Sequence, residues 1–455
     1  MSLRMRRGGT PDSPPSIIFG PINGAQSVRD GVGTRTVTSP GGGVSFNSAS
    51  NINTLITNNP SNTVFVASAT GLYTNFRGIS YSNKHPRFYF PGAASSYSIT
   101  GAGSLNEIGM NGNTNGLEIH GGTWTGYGTM ASAFGSSINA VGSSIIEDAV
   151  FTNAGQSGLV LESAVAGVTN LVSHCHFTTN GRYNITSNPG GTTNFQNTTL
   201  EYSLLENGNS ALNDPGGDAG CMKMGFTSPF TMRYCWSKGN HGFGVWVDGR
   251  NRNAFIHNNV IENNFGHAPI PGAGGLFYEV GAGGVVIEHN YIIGNGSSSD
   301  GNYPFNGVQL AVSCSPSDGT GVLGLDAQSE IRYNDIDANA GFRSPIVLYN
   351  HTSHADVFRT RKWYVHHNRL WSRGASGQSR TGLSDQCSPG QPKEGDIGTS
   401  PAAPGLNLFD YNEYHVADIN GSYWNHDTSS GSPGARTFLS FQSRQHEAHG
   451  SVVAI

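Results

Sequence analysis

The chain has 455 residues, of which only 12% are charged, with 64 glycines and a net charge of −5. This balance excludes a basic nucleic-acid-binding surface, and apolar and aromatic residues are too evenly spread for a disordered chain. No run of eighteen apolar residues is present, so no membrane insertion by an apolar helix is expected.

The start, MSLRMRRGGTPDSPPSIIFG, is basic but has no apolar core and no small-residue cleavage site, so it does not read as a secretory signal. Residues 1–43 are rich in Gly, Pro and Ser and are expected to form an extended arm carrying Arg4, Arg6 and Arg7. NINTLITNN (Asn51–Asn59) reads as a short amphipathic helix or turn, followed by the strand TVFVAS (Thr63–Ser68). Placed there, it would cap an exposed sheet edge.

From about residue 148 the chain is periodic. A unit polar-x-aliphatic-x-x-Asn recurs as DAVFTN from Asp148, CHFTTN from Cys175, YSLLEN from Tyr202 and YCWSKG from Tyr234. It continues as NVIENN from Asn259, NYIIGN from Asn290 and NDIDAN from Asn334, with a weaker copy, HNRLWS, around Asn368. Short period-2 apolar runs flank each unit, and no helical period is sustained. Repeats of about one coil length, short strands and Asn/Gly turns predict a solenoid in which each strand pairs in parallel with its equivalents above and below. Asparagine suits the turns because it tolerates left-handed backbone angles and its stacked amides can form ladders. The solenoid is expected to occupy residues 44–405, with 406–455 forming a C-terminal cap. SPGQPKEGDIGTSPAAPG (Ser388–Gly405) has the composition of a linker or a long coil insertion.

The runs AGCMKM, GFGVWVDGRN, AFIHNNVIENN, GAGGLFYEV and VVIEHNYIIGNG resemble the right-handed parallel β-helix proteins of the pectate-lyase-like superfamily. The resemblance covers roughly residues 60 to 420 and implies an all-β, single-stranded solenoid. It implies no single reaction, because lyases, hydrolases, epimerases and non-enzymatic phage tail proteins share that fold.

Side-chain parity then predicts the outward face. In Gly244–Asp248 the valines point in, so Trp246 and Asp248 point out. In Gly275–Glu279, Phe277 and Glu279 point out, and the inward Tyr278 needs a partner for its hydroxyl. Aligning glycines predicts one outward row of Glu118, Val160, Lys223, Trp246, Phe277 and Gln309. A second contains His120, Glu162, Asp248, Glu279 and Ala311. Trp246, Phe277, Gln309 and Glu162 are the candidate substrate-binding residues, with the two rings offered to the C–H faces of a sugar. A covering loop would instead turn the rings into a satellite core. Asp248 and Glu279, on adjacent coils, would raise one another's pKa, and with Lys223 they are the candidate catalytic groups. No metal set is expected, although a calcium ion is an alternative to Lys223 for neutralising the pair. Asp214 and Asp218 lie just before Lys223. Histidines on or near strands, and HEAHG (His446–Gly450), read as ordinary surface or turn positions. Cys314 and Cys387 both open Cys-Ser-Pro loops and either pair or remain free thiols.

Three functions compete at this point. The first is a phage tail or tail-tip protein meeting cell-surface polysaccharide, alongside other tail proteins and as a homotrimer, in the virion tail. The second is a secreted, extracellular polysaccharide lyase or glycoside hydrolase with its cleft along the solenoid. A scaffold role, with Trp246 and Phe277 as an assembly contact, is the third.

Overall fold

A computed structural model describes residues 21–81, 84–105, 107–112, 115–129, 135–163, 167–189, 196–213, 219–249, 251–266, 274–279, 283–296, 305–311, 328–338, 344–349, 363–373, 408–425, 435–442 and 447–455. Among them, three long sheets of ten, thirteen and thirteen strands run along the solenoid, and every pairing within them is parallel. One coil shows the plan. Strand Phe243–Asp248 belongs to the first sheet, Ala254–His257 to the second and Val260–Glu262 to the third. The chain then returns to the first sheet one rung higher, at Gly274–Glu279. The protein is therefore a parallel β-helix, as the repeat predicts.

The inward side chains form one continuous core. Val245, Val247, Leu276 and Tyr278 are fully buried, with Ile256, Ile261, Ile287 and Ile292 from the other two sheets. Burying each such side chain contributes about 1.5–3 kcal/mol, so the stack of coils is held chiefly by its interior. The Tyr278 hydroxyl donates to the Asn251 carbonyl at 2.9 Å, which answers the one awkward inward placement.

The asparagines divide into two roles that the repeat alone had merged. Asn258 adopts left-handed backbone angles between the second and third sheets, as do His289, Tyr333, His367 and Tyr411 in later coils. The residue that follows each of these points inward and builds a ladder. Asn259 donates to Asn290 at 3.0 Å, Asn290 to Asn334 at 3.0 Å, Asn334 to Asn368 at 2.9 Å and Asn368 to Asn412 at 2.9 Å. A shorter ladder joins Asn240 to Asn264 (2.7 Å) and Asn264 to Asn295 (2.9 Å) at the next turn. The copies as quoted from the sequence thus mix two registers, starting at the left-handed residue in Tyr202 but at the ladder residue in Asn259. His and Tyr occupy left-handed positions that such side chains rarely take. Their rings stack from coil to coil, His289 on Tyr333 at 5.4 Å and His367 on Tyr411 at 4.8 Å, which offsets that cost.

Helix α1 (Pro21–Gly31) lies against the third sheet near Val260–Glu262, with Arg29 paired to Glu262 at 2.5 Å. Arg35 forks onto Asp148 and Val37 bridges Gly92, so residues 29–37 run along the solenoid toward its first coil. Helix α2 (Ile52–Asn58) begins at Asn51, whose side chain accepts from the Thr54 N–H at 2.9 Å, and buries Ile52 and Ile56 over the first coil. At the other end, Glu447 in HEAHG closes the long ladder: its carboxylate accepts from the Asn412 amide at 2.6 Å and the Tyr414 hydroxyl at 2.7 Å. The last strand, Ser451–Ala454, completes the third sheet. Among the described residues no helix is long and apolar enough to cross a membrane.

Candidate functional site

The outward face of the first sheet carries the candidate site. Its register is Val160, Thr186, Lys223, Trp246, Phe277 and Gln309 in successive coils, with Asp248 beside Gly225 in the neighbouring row. Glu118 and His120 do not belong to these rows. Their strand pairs with Arg87–Tyr89 and Ser144–Glu147 in the second sheet, where Glu118 accepts from Arg87 at 2.6 Å. Glycine alignment misplaced them because Gly116 turns the chain at a left-handed φ of 77° rather than opening a first-sheet strand. It also passed over the coil of Tyr183–Pro189, which has no opening glycine.

A groove of about 400 Å³ runs over this face from Ile108 to Asp248. Val160, Thr186 and Lys223 line it along one row, and Glu162, Gly225 and Asp248 along the other. Arg182, Ser187 and Phe226 complete its polar and apolar walls. Six coils contribute, so at about 4.8 Å per step the groove extends roughly 24 Å along the solenoid. A site of this size with few charged groups on a mostly neutral wall is typical of small-molecule and oligomer binding.

Charge gathers at one end. Lys223 Nζ stands 3.0 Å from Asp248 Oδ2, with both side chains 20% exposed, and 4.0 Å from the centre of the Trp246 ring. Asp248 also accepts from the Gly249 N–H at 2.6 Å. Trp246 Nε1 donates to Glu279 Oε2 at 3.2 Å. Burial raises the Glu279 pKa to about 7, and the neighbouring Asp248 charge adds to that rise, while Lys223 and the Trp246 hydrogen bond oppose it. Glu279 does not line the groove; it stands one coil beyond Asp248. Glu162 does line it, some three coils from Asp248, and its pKa too is raised by burial, with a hydrogen bond from Asn139 opposing.

The aromatic pair is placed as parity predicts but not as a sugar platform. Trp246 is 2% and Phe277 6% exposed, and with Phe243 they form a small cluster of their own outside the main core. The Phe243 and Phe277 rings lie 4.6 Å apart, and those of Trp246 and Phe277 5.2 Å. The expectation of open ring faces is therefore overturned, and the satellite-core alternative holds. Strand alternation reveals on which side of a sheet a ring lies, but not what lies over it. The side chain of Gln309 lies outside the described residues, as do Asp214, Asp218, Cys314 and Cys387. The remaining cysteines, Cys175, Cys221 and Cys235, are buried free thiols. Among the described residues no three His, Cys, Asp or Glu side chains are grouped to hold a metal ion. The sequence reading missed Thr186, Ser187, Arg182 and Gly225. Only the unrecognised Tyr183–Pro189 coil could have revealed the first two.

A family comparison agrees with this architecture. Residues 106–324 match the family described as right handed beta helix region. No curated protein matches the sequence. Among solved structures, the chain is similar to pectate lyase Pel9A at 16% identity, with 82% of this chain and 83% of that chain covered and a TM-score of 0.34. It is also similar to a mannuronic acid specific polysaccharide family 6 lyase enzyme from human gut microbiota, at 11% identity, with 90% of each chain covered and a TM-score of 0.34. The parallel sheets and the matched central coils give the chain the right-handed parallel β-helix fold.

Proposed function

We propose that this protein is an extracellular polysaccharide-active enzyme that holds a linear glycan along the groove and cleaves it at the Asp248 end. The observation that carries the proposal is the Lys223–Asp248 ion pair at 3.0 Å at the mouth of a long groove, one coil from an acid held near neutrality. Cleavage of a glycosidic bond needs a group that accepts a proton and one that donates it close to the working pH. Asp248 and Lys223 supply the charged pair and Glu279 the proton reservoir. In an elimination, a base takes a proton from a sugar carbon as the neighbouring C–O bond breaks; in a hydrolysis, water adds across that bond. Lys223, 3.0 Å from Asp248, is taken as the group that neutralises its carboxylate in place of the calcium ion considered from the sequence. The alternative of a phage tail protein draws no support from the groove.

The test is a panel of uronate polymers and neutral glucans, with products followed both as new reducing ends and as unsaturated ends. Unsaturated ends would mark a lyase, and reducing ends alone a hydrolase. Asp248→Asn is expected to lower turnover by about 100-fold or more, the scale of a lost acid–base group. Cleavage that survives both Asp248→Asn and Lys223→Met unchanged would remove this end of the groove from the chemistry.

A further inference from the structure

We infer that Gly225 is a ligand-contact position: its missing side chain leaves the notch in which a sugar residue of the bound glycan sits against Asp248 and Lys223. This rests on the reading of the groove as a polysaccharide site.

Glycine inside a strand weakens it, and such a residue marks a bulge, a crowded backbone or a place where a ligand approaches. The first two explanations account for other glycines of the first sheet. A Cβ on Gly244 would come within 2.4 Å of the Asn264 side chain, one on Gly109 within 2.4 Å of the Ser137 carbonyl, and one on Gly158 within 2.9 Å of Asn180 and Asn184. Those positions are glycine because the ladder and the core leave no room. Gly225 differs. Its strand, Met222–Gly225, is in plain register with Phe243–Asp248, and Gly225 is not among the residues with left-handed angles. A Cβ there would meet only the carbonyl oxygens of Asp248 and Ser187, each at 3.7 Å, an ordinary van der Waals contact.

Neither the backbone nor the packing therefore requires glycine. What the position does have is an outlook on the groove. Gly225 pairs directly with Asp248, whose side chain faces outward, so any side chain on Gly225 would project the same way, into the groove that both residues line. Ser187 fixes the floor from the coil below: its hydroxyl accepts from the Gly225 N–H at 2.7 Å and donates to the Gly225 carbonyl at 2.8 Å. The result is a rigid, side-chain-free step beside the Lys223–Asp248 pair.

The experiment compares wild type with Gly225→Ala and Gly225→Val in calorimetric binding to the same uronate and neutral polymers, with thermal melting alongside. Melting at or above the wild-type temperature is expected for both, since a strand gains from either substitution. Binding is expected to fall about threefold for the alanine and at least tenfold for the valine. Wild-type binding retained in Gly225→Val would overturn the inference while leaving the groove reading intact. Lowered melting of Gly225→Ala would also overturn it, because the glycine would then serve the fold. Failure of wild type to bind any of the polymers would overturn the groove reading, and this inference with it.

Discussion

Two acids invite comparison, Glu279 one coil beyond the end of the groove and Glu447 in the C-terminal cap. Burial pushes both up to about 7. Their surroundings are otherwise opposite. Glu447 is 0% exposed and takes three donors, the Asn412 side chain at 2.6 Å, the Asn412 N–H at 3.1 Å and the Tyr414 hydroxyl at 2.7 Å. It is the last rung of the amide ladder, and its proton has nowhere to go. Glu279 has Trp246 Nε1 at 3.2 Å, a like charge on Asp248 beside it and Lys223 nearby. Perturbed acids mark functional sites only on average, because structural networks shift pKa as well. Here the partners separate the two cases: donors saturate the Glu447 carboxylate, whereas Glu279 has a like charge beside it and, under the proposed function, a proton to give.

The largest expected effect breaks the structural half of the comparison. Glu447→Ala removes the acceptor of three bonds and leaves buried donors on Asn412 and Tyr414 without it. That should cost on the order of 3 kcal/mol, measured by urea unfolding. Glu447→Gln should cost far less and should change the pH dependence. A carboxyl whose folded pKa lies above its unfolded value binds its proton more tightly when folded. Stability is then greatest at acid pH and falls as pH rises from the ordinary carboxylate value of about 4.3 toward about 7, at up to about 1.4 kcal/mol per unit. Glu447→Gln should flatten that fall. An unchanged slope would show that the cap does not hold the proton.

A mid-ladder change is expected next. Asn264 accepts from the Asn240 N–H and side chain, at 3.2 and 2.7 Å, and donates to Asn295 at 2.9 Å. Asn264→Ala should cost about 2–3 kcal/mol without altering any pH profile. Asp248→Asn should behave in the reverse way. The Lys223 pair is partly exposed, so its loss should cost at most about 1 kcal/mol of stability, while turnover collapses. If Asp248→Asn destabilised as strongly as Asn264→Ala, the groove end would be a structural cluster like the cap.

Much of this was legible in the sequence, for a physical reason. Alternation has a period of two and the coil repeats, so Val245, Val247, Leu276 and Tyr278 were placed inside and Trp246, Asp248, Phe277 and Glu279 outside from order alone. Four things were not legible. The covering of Trp246 and Phe277 depends on tertiary contacts that no local pattern encodes. The offset between left-handed residues and ladder asparagines is one position, and the variable coil length hid it. Glu118 was drawn into the wrong sheet because a turn glycine and a strand-opening glycine look alike until the backbone angles are known. The strand Tyr183–Pro189, with Thr186 and Ser187 in the groove wall, has neither glycine nor an obvious apolar alternation to announce it.

The smallest expected effect sharpens the functional half. Trp246→Phe keeps a ring for Phe243 and Phe277 to pack against but removes the Nε1 donor to Glu279. That hydrogen bond favours the ionised carboxylate, so without it Glu279 should bind its proton more tightly, and its titration should move upward from about 7. If Glu279 is the proton reservoir, the alkaline limb of the turnover profile should move up with it, by a fraction of a pH unit. Carbon-detected NMR titration of the Glu279 carboxyl reads the first shift and a pH–rate profile the second. Weakening the ring beneath Lys223 works in the same direction, because a less firmly held ammonium lowers the Glu279 pKa less. A carboxyl shift without a matching shift in turnover would place Glu279 with Glu447, as a buried acid serving the fold.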